Sequence, residues 1–145
     1  SLGLVGSEMC IRDRIILSVI ISAILWSDLQ NNFIWIGLYM GSRYTTMIKK
    51  IQGTPMKTNK LYAVIAYTLM VIGLNLFVLP NINIKNVTIK DCLTYGFMFG
   101  LVLYGVYDFT IGAVLEKWSM SLAVLDVLWG GFVYFIACYV LKFIN

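Results

Sequence analysis

Long apolar runs separated by short polar links dominate the chain. Four runs reach the roughly 20 residues that a helix needs to cross a bilayer, at residues 15–39, 61–79, 89–115 and 121–140. Pro80 ends the second run, and Thr88 followed by Asp91 is typical of a capping box at the start of the third. Short links favour antiparallel neighbours. The pattern therefore predicts an all-α integral membrane protein, an antiparallel four-helix transmembrane bundle forming one domain over residues 15–145.

The composition fits a lipid environment and removes several kinds of chemistry. Of the 145 residues, 60% are hydrophobic and 12% are charged, and the mean hydropathy is +0.84. A soluble domain of this size cannot bury so much apolar surface. The sequence contains no histidine, which excludes histidine metal ligands and Ser–His or Cys–His catalytic pairs. We expect no metal site and no cofactor.

The first 14 residues differ in character from the rest. Their sequence, SLGLVGSEMCIRDR, resembles the translation of a sequencing adapter, and scars of this kind are left out of reasoning about a fold. We interpret residues 1–14 as such an artefact and expect them to pack against nothing. The alternative is a short polar N-terminus.

The basic residues predict an orientation in the membrane. The link between the first two runs contains five basic residues and no acid, and the link between the last two contains Lys117. Lys85, Lys90 and Lys142 lie at the opposite ends of the runs. Because arginine and lysine accumulate on the cytoplasmic side, we place residues 43–60 in the cytoplasm and both termini outside. The sequence leaves the identity of the membrane open.

The first link also contains an amphipathic stretch. One helical face is formed by Tyr44, Met47, Ile48 and Ile51. The stretch fits a helix in the headgroup layer, with anionic lipid headgroups as candidate partners. The basic residues that would contact them are Arg43, Lys49 and Lys50. The alternative is an anchor without a binding role. The lipid bilayer is the expected partner, nucleic acid is not, and a homo-oligomer stays open.

Three aspartates lie within the apolar runs, at Asp28, Asp108 and Asp126. Each costs roughly 2.5–3.5 kcal/mol at mid-span, and no lysine or arginine lies near them in a run. Asp108 and Asp126 are equally far from Lys117 along the chain, so an antiparallel hairpin brings them to one level, about 10–15 Å below the surface. Asp28 has a similar depth. Each must be protonated, hydrogen-bonded or bound to a cation.

Further polar and aromatic residues fall at this level, including Tyr67 and Thr68 of the second run. The candidate ligand- or proton-binding residues are Asp28, Asn31, Tyr104, Tyr107, Asp108, Thr110, Asp126 and Trp129. One interpretation is a buried polar pocket open to the cytoplasmic side. The other is a set of interhelical hydrogen bonds that only clamps the helices together.

Small residues predict where the helices meet. Gly96 and Gly100 share a face of the third run, and the pair Gly130 and Gly131 lies in the fourth, which permits close helix approach. We expect Cys92 and Cys138 to act as small apolar packing residues, with a disulfide as the alternative.

The motif of the third and fourth runs resembles that of a known family. It comprises Tyr104, Tyr107, Asp108, Phe109, Thr110, Ala113, Trp118, Asp126, Trp129 and Gly130. The chain from Ile15 to Asn145 is similar to the predicted membrane proteins catalogued as domain of unknown function 2177. Ile111 stands where the family usually has Asn, and Asn31 where it often has Trp. The resemblance implies no established activity, although family members are often encoded beside genes of lipid modification.

Three functions follow from these patterns. The first is a polar, aspartate-lined intramembrane site for small-molecule or cation- and proton-coupled transport or binding. The second is a membrane-embedded lipid-modifying enzyme, or its accessory subunit, with aspartates as acid–base groups. The third is a structural partner of another membrane protein. Because histidine and cofactor motifs are absent, we favour a role other than catalysis.

Overall fold

The computed structural model describes residues 11–12, 14–16, 18–20, 41–57, 59–83 and 85–144. Regular structure in these ranges is helical throughout. We number the helices after residue 40 as α1 (Gly41–Gln52), α2 (Lys60–Asn81), α3 (Ile89–Val114) and α4 (Met120–Ile144). Helices α2, α3 and α4 are each long and apolar enough to cross a membrane, which confirms an all-helical membrane architecture. Because residues 21–40 lie outside the described ranges, the four-helix bundle stays a prediction.

The helix ends have the polar caps that their sequences indicate. The Asn59 side-chain oxygen accepts hydrogen bonds from the backbone N–H groups of Leu61 at 3.0 Å and Tyr62 at 3.4 Å. The Thr88 hydroxyl accepts one from the backbone N–H of Asp91 at 3.1 Å, as the capping pattern predicts. Gly53, with a φ of +74°, ends α1 in the left-handed conformation that glycine tolerates best. These caps satisfy backbone groups that the helices leave without internal partners.

Helices α3 and α4 form a tight antiparallel hairpin. A Cβ atom on Gly100 would meet the backbone of Gly130 and Gly131, and one on Gly96 would lie 2.8 Å from both the Cys138 sulfur and the Tyr134 carbonyl oxygen. The two helices can approach this closely because glycine lacks a side chain. The prediction that these small residues mark the contact is therefore confirmed.

Among the described residues, the larger of two buried clusters lies at the end of the hairpin away from Lys117, where α2 joins α3 and α4. Leu74, Cys92 and Cys138 are fully buried there, and both thiols are free. The Tyr134 hydroxyl donates a hydrogen bond to the Met70 carbonyl oxygen at 3.2 Å. Both α2 and α3 have a π-helical segment beside this cluster, at Leu74–Val78 and Cys92–Phe97. The packing role predicted for the two cysteines is confirmed.

Large apolar side chains cover the outer faces of the long helices. Leu69 on α2 is 63% exposed, Val106 on α3 is 64% exposed, and Phe132 on α4 is 48% exposed. Such faces are unfavourable in water but match the apolar interior of a bilayer. The arrangement is the one expected for helices surrounded by lipid.

The described residues before position 21 lie beside α2. The Asn75 side-chain amide donates to the Ser18 hydroxyl at 3.1 Å, and that hydroxyl donates to the Arg14 carbonyl oxygen at 2.8 Å. Ile11 and Arg14 line a cavity of about 830 Å³ together with residues of α2. Our expectation that residues 1–14 pack against nothing is wrong for these two, because their side chains extend the same helical face as Ser18.

Candidate functional site

The hairpin register brings two of the three aspartates together. Gly105 on α3 faces Val127 on α4, so the next turn toward the link pairs Asp108 with Asp126. Asp108 is 1% exposed and Asp126 is half-buried. Their carboxyl groups lie within hydrogen-bonding reach of each other. Two acidic side chains thus meet inside an otherwise apolar helix pair.

The chemistry of this pair requires a proton or a cation. An ionised carboxylate only accepts hydrogen bonds, so a bond between two carboxyl groups needs a proton on one of them. The chain contains no lysine or arginine between residues 91 and 116 or between 118 and 141. The Oδ2 atom of Asp108 is buried and accepts no hydrogen bond from any residue that the structure describes. The pair therefore has unused capacity to bind a donor.

Aromatic side chains close the site on the side of the glycine contact. The ring of Tyr104 lies directly over Gly130, where a Cβ atom would collide with it. Trp129 is 7% exposed and packs against Phe132, with 5.7 Å between ring centroids. Tyr104 and Asp108 are one turn apart on α3 and so share the face toward α4. The buried Trp129 and the half-buried Tyr104 each lie one turn from an aspartate of the pair and reduce its exposure on this side.

Other candidates are not brought to the pair. Tyr107 is 51% exposed and Thr110 is also exposed, so both lie on the outer face of α3. Tyr67 and Thr68 of α2 line the cavity beside Ser18, and the Thr68 hydroxyl donates to the Val64 carbonyl oxygen of its own helix at 2.8 Å. Asp28 and Asn31 lie outside the described residues.

Few candidate metal ligands come together in the part of the chain that the structure describes. Those residues contain no group of three or more His, Cys, Asp or Glu side chains that could hold a metal ion together. Asp108 and Asp126 supply two carboxylates, which by themselves leave most of a coordination sphere to other ligands. A proton or a weakly held cation suits this donor set better.

Comparison with known families agrees with the membrane architecture. The profile of a family described as predicted membrane protein, domain of unknown function 2177, matches residues 15–141. The chain belongs to this family. No protein with a curated description matches the chain, and no solved structure matches it. Membership of domain of unknown function 2177 describes the chain as a predicted membrane protein, and three of its helices are long and apolar enough to cross a bilayer. It assigns no reaction or substrate to Asp108 and Asp126.

Sequence reasoning missed one polar group of α2. Asn75 forms the hydrogen bond to Ser18, and its amide also donates to the Val71 carbonyl oxygen at 2.9 Å. An asparagine in an apolar run is a signal of interhelical hydrogen bonding, so the pattern alone could have identified it. Asn75 lies closer to the Pro80 end of α2 than the level predicted for the aspartates.

Proposed function

We propose that this member of the family holds a proton between Asp108 and Asp126 inside the membrane and exchanges it for a cation during transport or binding. The observation that carries the proposal is the carboxyl–carboxyl contact in an apolar hairpin. In such a setting two ionised carboxylates would repel strongly, and a shared proton or a bound cation removes the repulsion. Proton and cation therefore compete for one site.

The access route follows from the unequal burial of the pair. Asp108 is enclosed and Asp126 is half-buried, so Asp126 is the carboxyl that an incoming cation reaches first. Asp108 then acts as the group that keeps or releases the shared proton. We place the site toward the cytoplasmic side, because the link with Lys117 and the basic residues 43–60 are predicted to face the cytoplasm.

Whether the carboxyl pair holds a proton can be tested without knowing the substrate. Infrared spectra of the protein in liposomes report the carbonyl stretch of a protonated carboxylic acid. We expect this band at neutral pH and expect Asp108→Asn and Asp126→Asn each to abolish it, because an asparagine amide can donate to the remaining carboxylate. Asp91→Asn, at the start of α3, is the matched control and should leave the band unchanged. A band that disappears only in Asp28→Asn would refute the proposal for this pair.

The exchange of this proton for a cation is tested separately, in proteoliposomes with a pH-sensitive dye inside. A lipophilic cation such as tetraphenylphosphonium is added outside. It should drive protons out of liposomes that contain the wild type but not out of liposomes that contain Asp108→Asn. If the infrared band is present but no cation tested moves protons, the pair only clamps α3 to α4. That outcome would replace transport by a structural role.

A further inference from the structure

Helix α1 docks onto the hairpin through its apolar face. Met47 is buried against Leu122 of α4, and Ile51, Trp118 and Leu125 pack around these two. The backbone N–H of Ser119 donates to the Met47 sulfur at 3.2 Å. α1 is therefore held against the link between α3 and α4, and its position relative to that link is defined by side-chain packing.

This docking creates a basic cavity of about 420 Å³ between α1 and the link. Met47 and Leu122 form its apolar floor. Its polar lining combines three cationic side chains with three hydroxyl groups. The cations are Arg43, Lys50 and Lys117, and the hydroxyls are those of Thr46, Ser119 and Ser121.

Basic side chains outnumber acidic ones among the described residues that line the cavity. None of the described residues that line it is acidic, and Glu116, the chain neighbour of Lys117, does not line it. Lys50 and Lys117 line the same cavity and repel each other, and an anion between them removes that repulsion. Arginine, lysine and hydroxyl groups are also the donors that proteins use for phosphate oxygens.

The position of the cavity identifies the source of such a phosphate. Lys117 and Ser119 lie in the link between two membrane-crossing helices, and α1 is amphipathic, with Lys49 and Lys50 exposed. Side chains at the ends of crossing helices lie in the headgroup layer, where phospholipid phosphates are concentrated. The apolar floor beside the cations matches a ligand with a polar headgroup and an acyl chain.

We infer that the cavity between α1 and the α3–α4 link binds the phosphate group of an anionic phospholipid. Arg43, Lys50 and Lys117 bind the phosphate oxygens, and the hydroxyl groups of Ser119 and Ser121 complete the site. This site is separate from the carboxyl pair, so it can exist whether or not Asp108 and Asp126 exchange a proton.

Adjacent lysines provide a matched test. Lys49 and Lys50 are neighbours on α1 and both are exposed, but only Lys50 lines the cavity. Purified protein in detergent is mixed with phosphatidylglycerol or phosphatidylcholine, and native mass spectrometry counts the retained lipid. We expect Lys50→Ala and Lys117→Ala each to weaken phosphatidylglycerol binding about tenfold, since each removes a charged hydrogen bond. Lys49→Ala should bind as the wild type does.

One further variant and one soluble ligand complete the test. Ser121→Ala removes a hydroxyl group without changing the charge and should also weaken binding of phosphatidylglycerol. Equal losses in Lys49→Ala and Lys50→Ala would overturn the inference, because surface charge alone would then explain retention. Equal retention of phosphatidylcholine would overturn it too. If inorganic phosphate displaces phosphatidylglycerol and binds with the same dependence on Lys50, the ligand is a soluble phosphate, which overturns the lipid assignment.

Discussion

Gly100 on α3 lies against the carbonyl group of Gly130 on α4, with no space for a side chain between the two backbones. This contact sets the shortest distance at which α3 and α4 can pack. It lies two turns from Asp108 on α3, so the same register that joins the glycines brings the two aspartates together. Changes at the glycine contact should therefore affect the carboxyl pair as well as stability.

Replacing Gly100 by Ala should destabilise the hairpin, because its Cβ would lie 2.8 Å from the Gly131 Cα and still closer to the Gly130 carbonyl. We expect a loss of about 1–3 kcal/mol, typical of overpacking in a close-packed interior. Unfolding in detergent with increasing dodecyl sulfate measures it. Gly105→Ala is the control, since its Cβ would find the nearest Val127 atom at 3.9 Å. Equal losses in both variants would contradict the close contact.

Replacing Tyr134 by Phe should have a small effect on stability, about 0.5–1.5 kcal/mol. The change removes the hydrogen bond to the Met70 carbonyl, but this oxygen keeps its bond from the Leu74 N–H. Tyr134→Ala should cost about 3–5 kcal/mol, because it empties a fully buried ring position. The same unfolding assay compares them, with exposed Tyr62→Phe as control. A Phe variant as unstable as the Ala variant would show that the hydroxyl, and not the ring, holds α2 to α4.

Cysteine labelling from each side of intact cells should reveal the orientation. In a Cys10→Ser background, Lys57→Cys should react with a membrane-impermeant reagent only after the cells are opened. Lys85→Cys should react in intact cells, because residues 43–60 are predicted to face the cytoplasm. Cys92 and Cys138 can remain, since both are fully buried. Reaction of Lys57→Cys from outside would reverse the topology.

Deleting residues 1–14 should leave membrane insertion unchanged, because their sequence resembles an adapter. Ser18 stays in the shortened chain, so its hydrogen bond with Asn75 is retained. Alkali extraction of membranes measures insertion. The matched comparison is Asn75→Leu in the full chain, which removes the bond but keeps residues 1–14. Loss of insertion on deletion would show that Ile11 and Arg14 contribute more to membrane insertion than their place in the cavity lining suggests.

The membrane-crossing helices follow from the sequence, because the length of an apolar run and its end signals are local properties. The level of Asp108 and Asp126 could also be predicted, since a tight link near Lys117 leaves an antiparallel hairpin little freedom in register. The side of the helix on which each residue lies is harder to predict from the sequence. A residue next to Asp108 is turned by about 100° around the helix axis, and Tyr107 accordingly lies on the outer face.

Only the tertiary structure decided where α1 docks. The apolar stripe of α1 predicts a buried face but not its partner, because lipid and protein are equally apolar surroundings. The packing of Met47 against Leu122 identifies the α3–α4 hairpin as that partner, and Lys50 and Lys117 then line the same cavity. These residues are far apart in sequence, so no local pattern relates them. Which lysine lines the cavity depends on that packing, and for this reason Lys49 and Lys50 are equivalent in sequence but not in space.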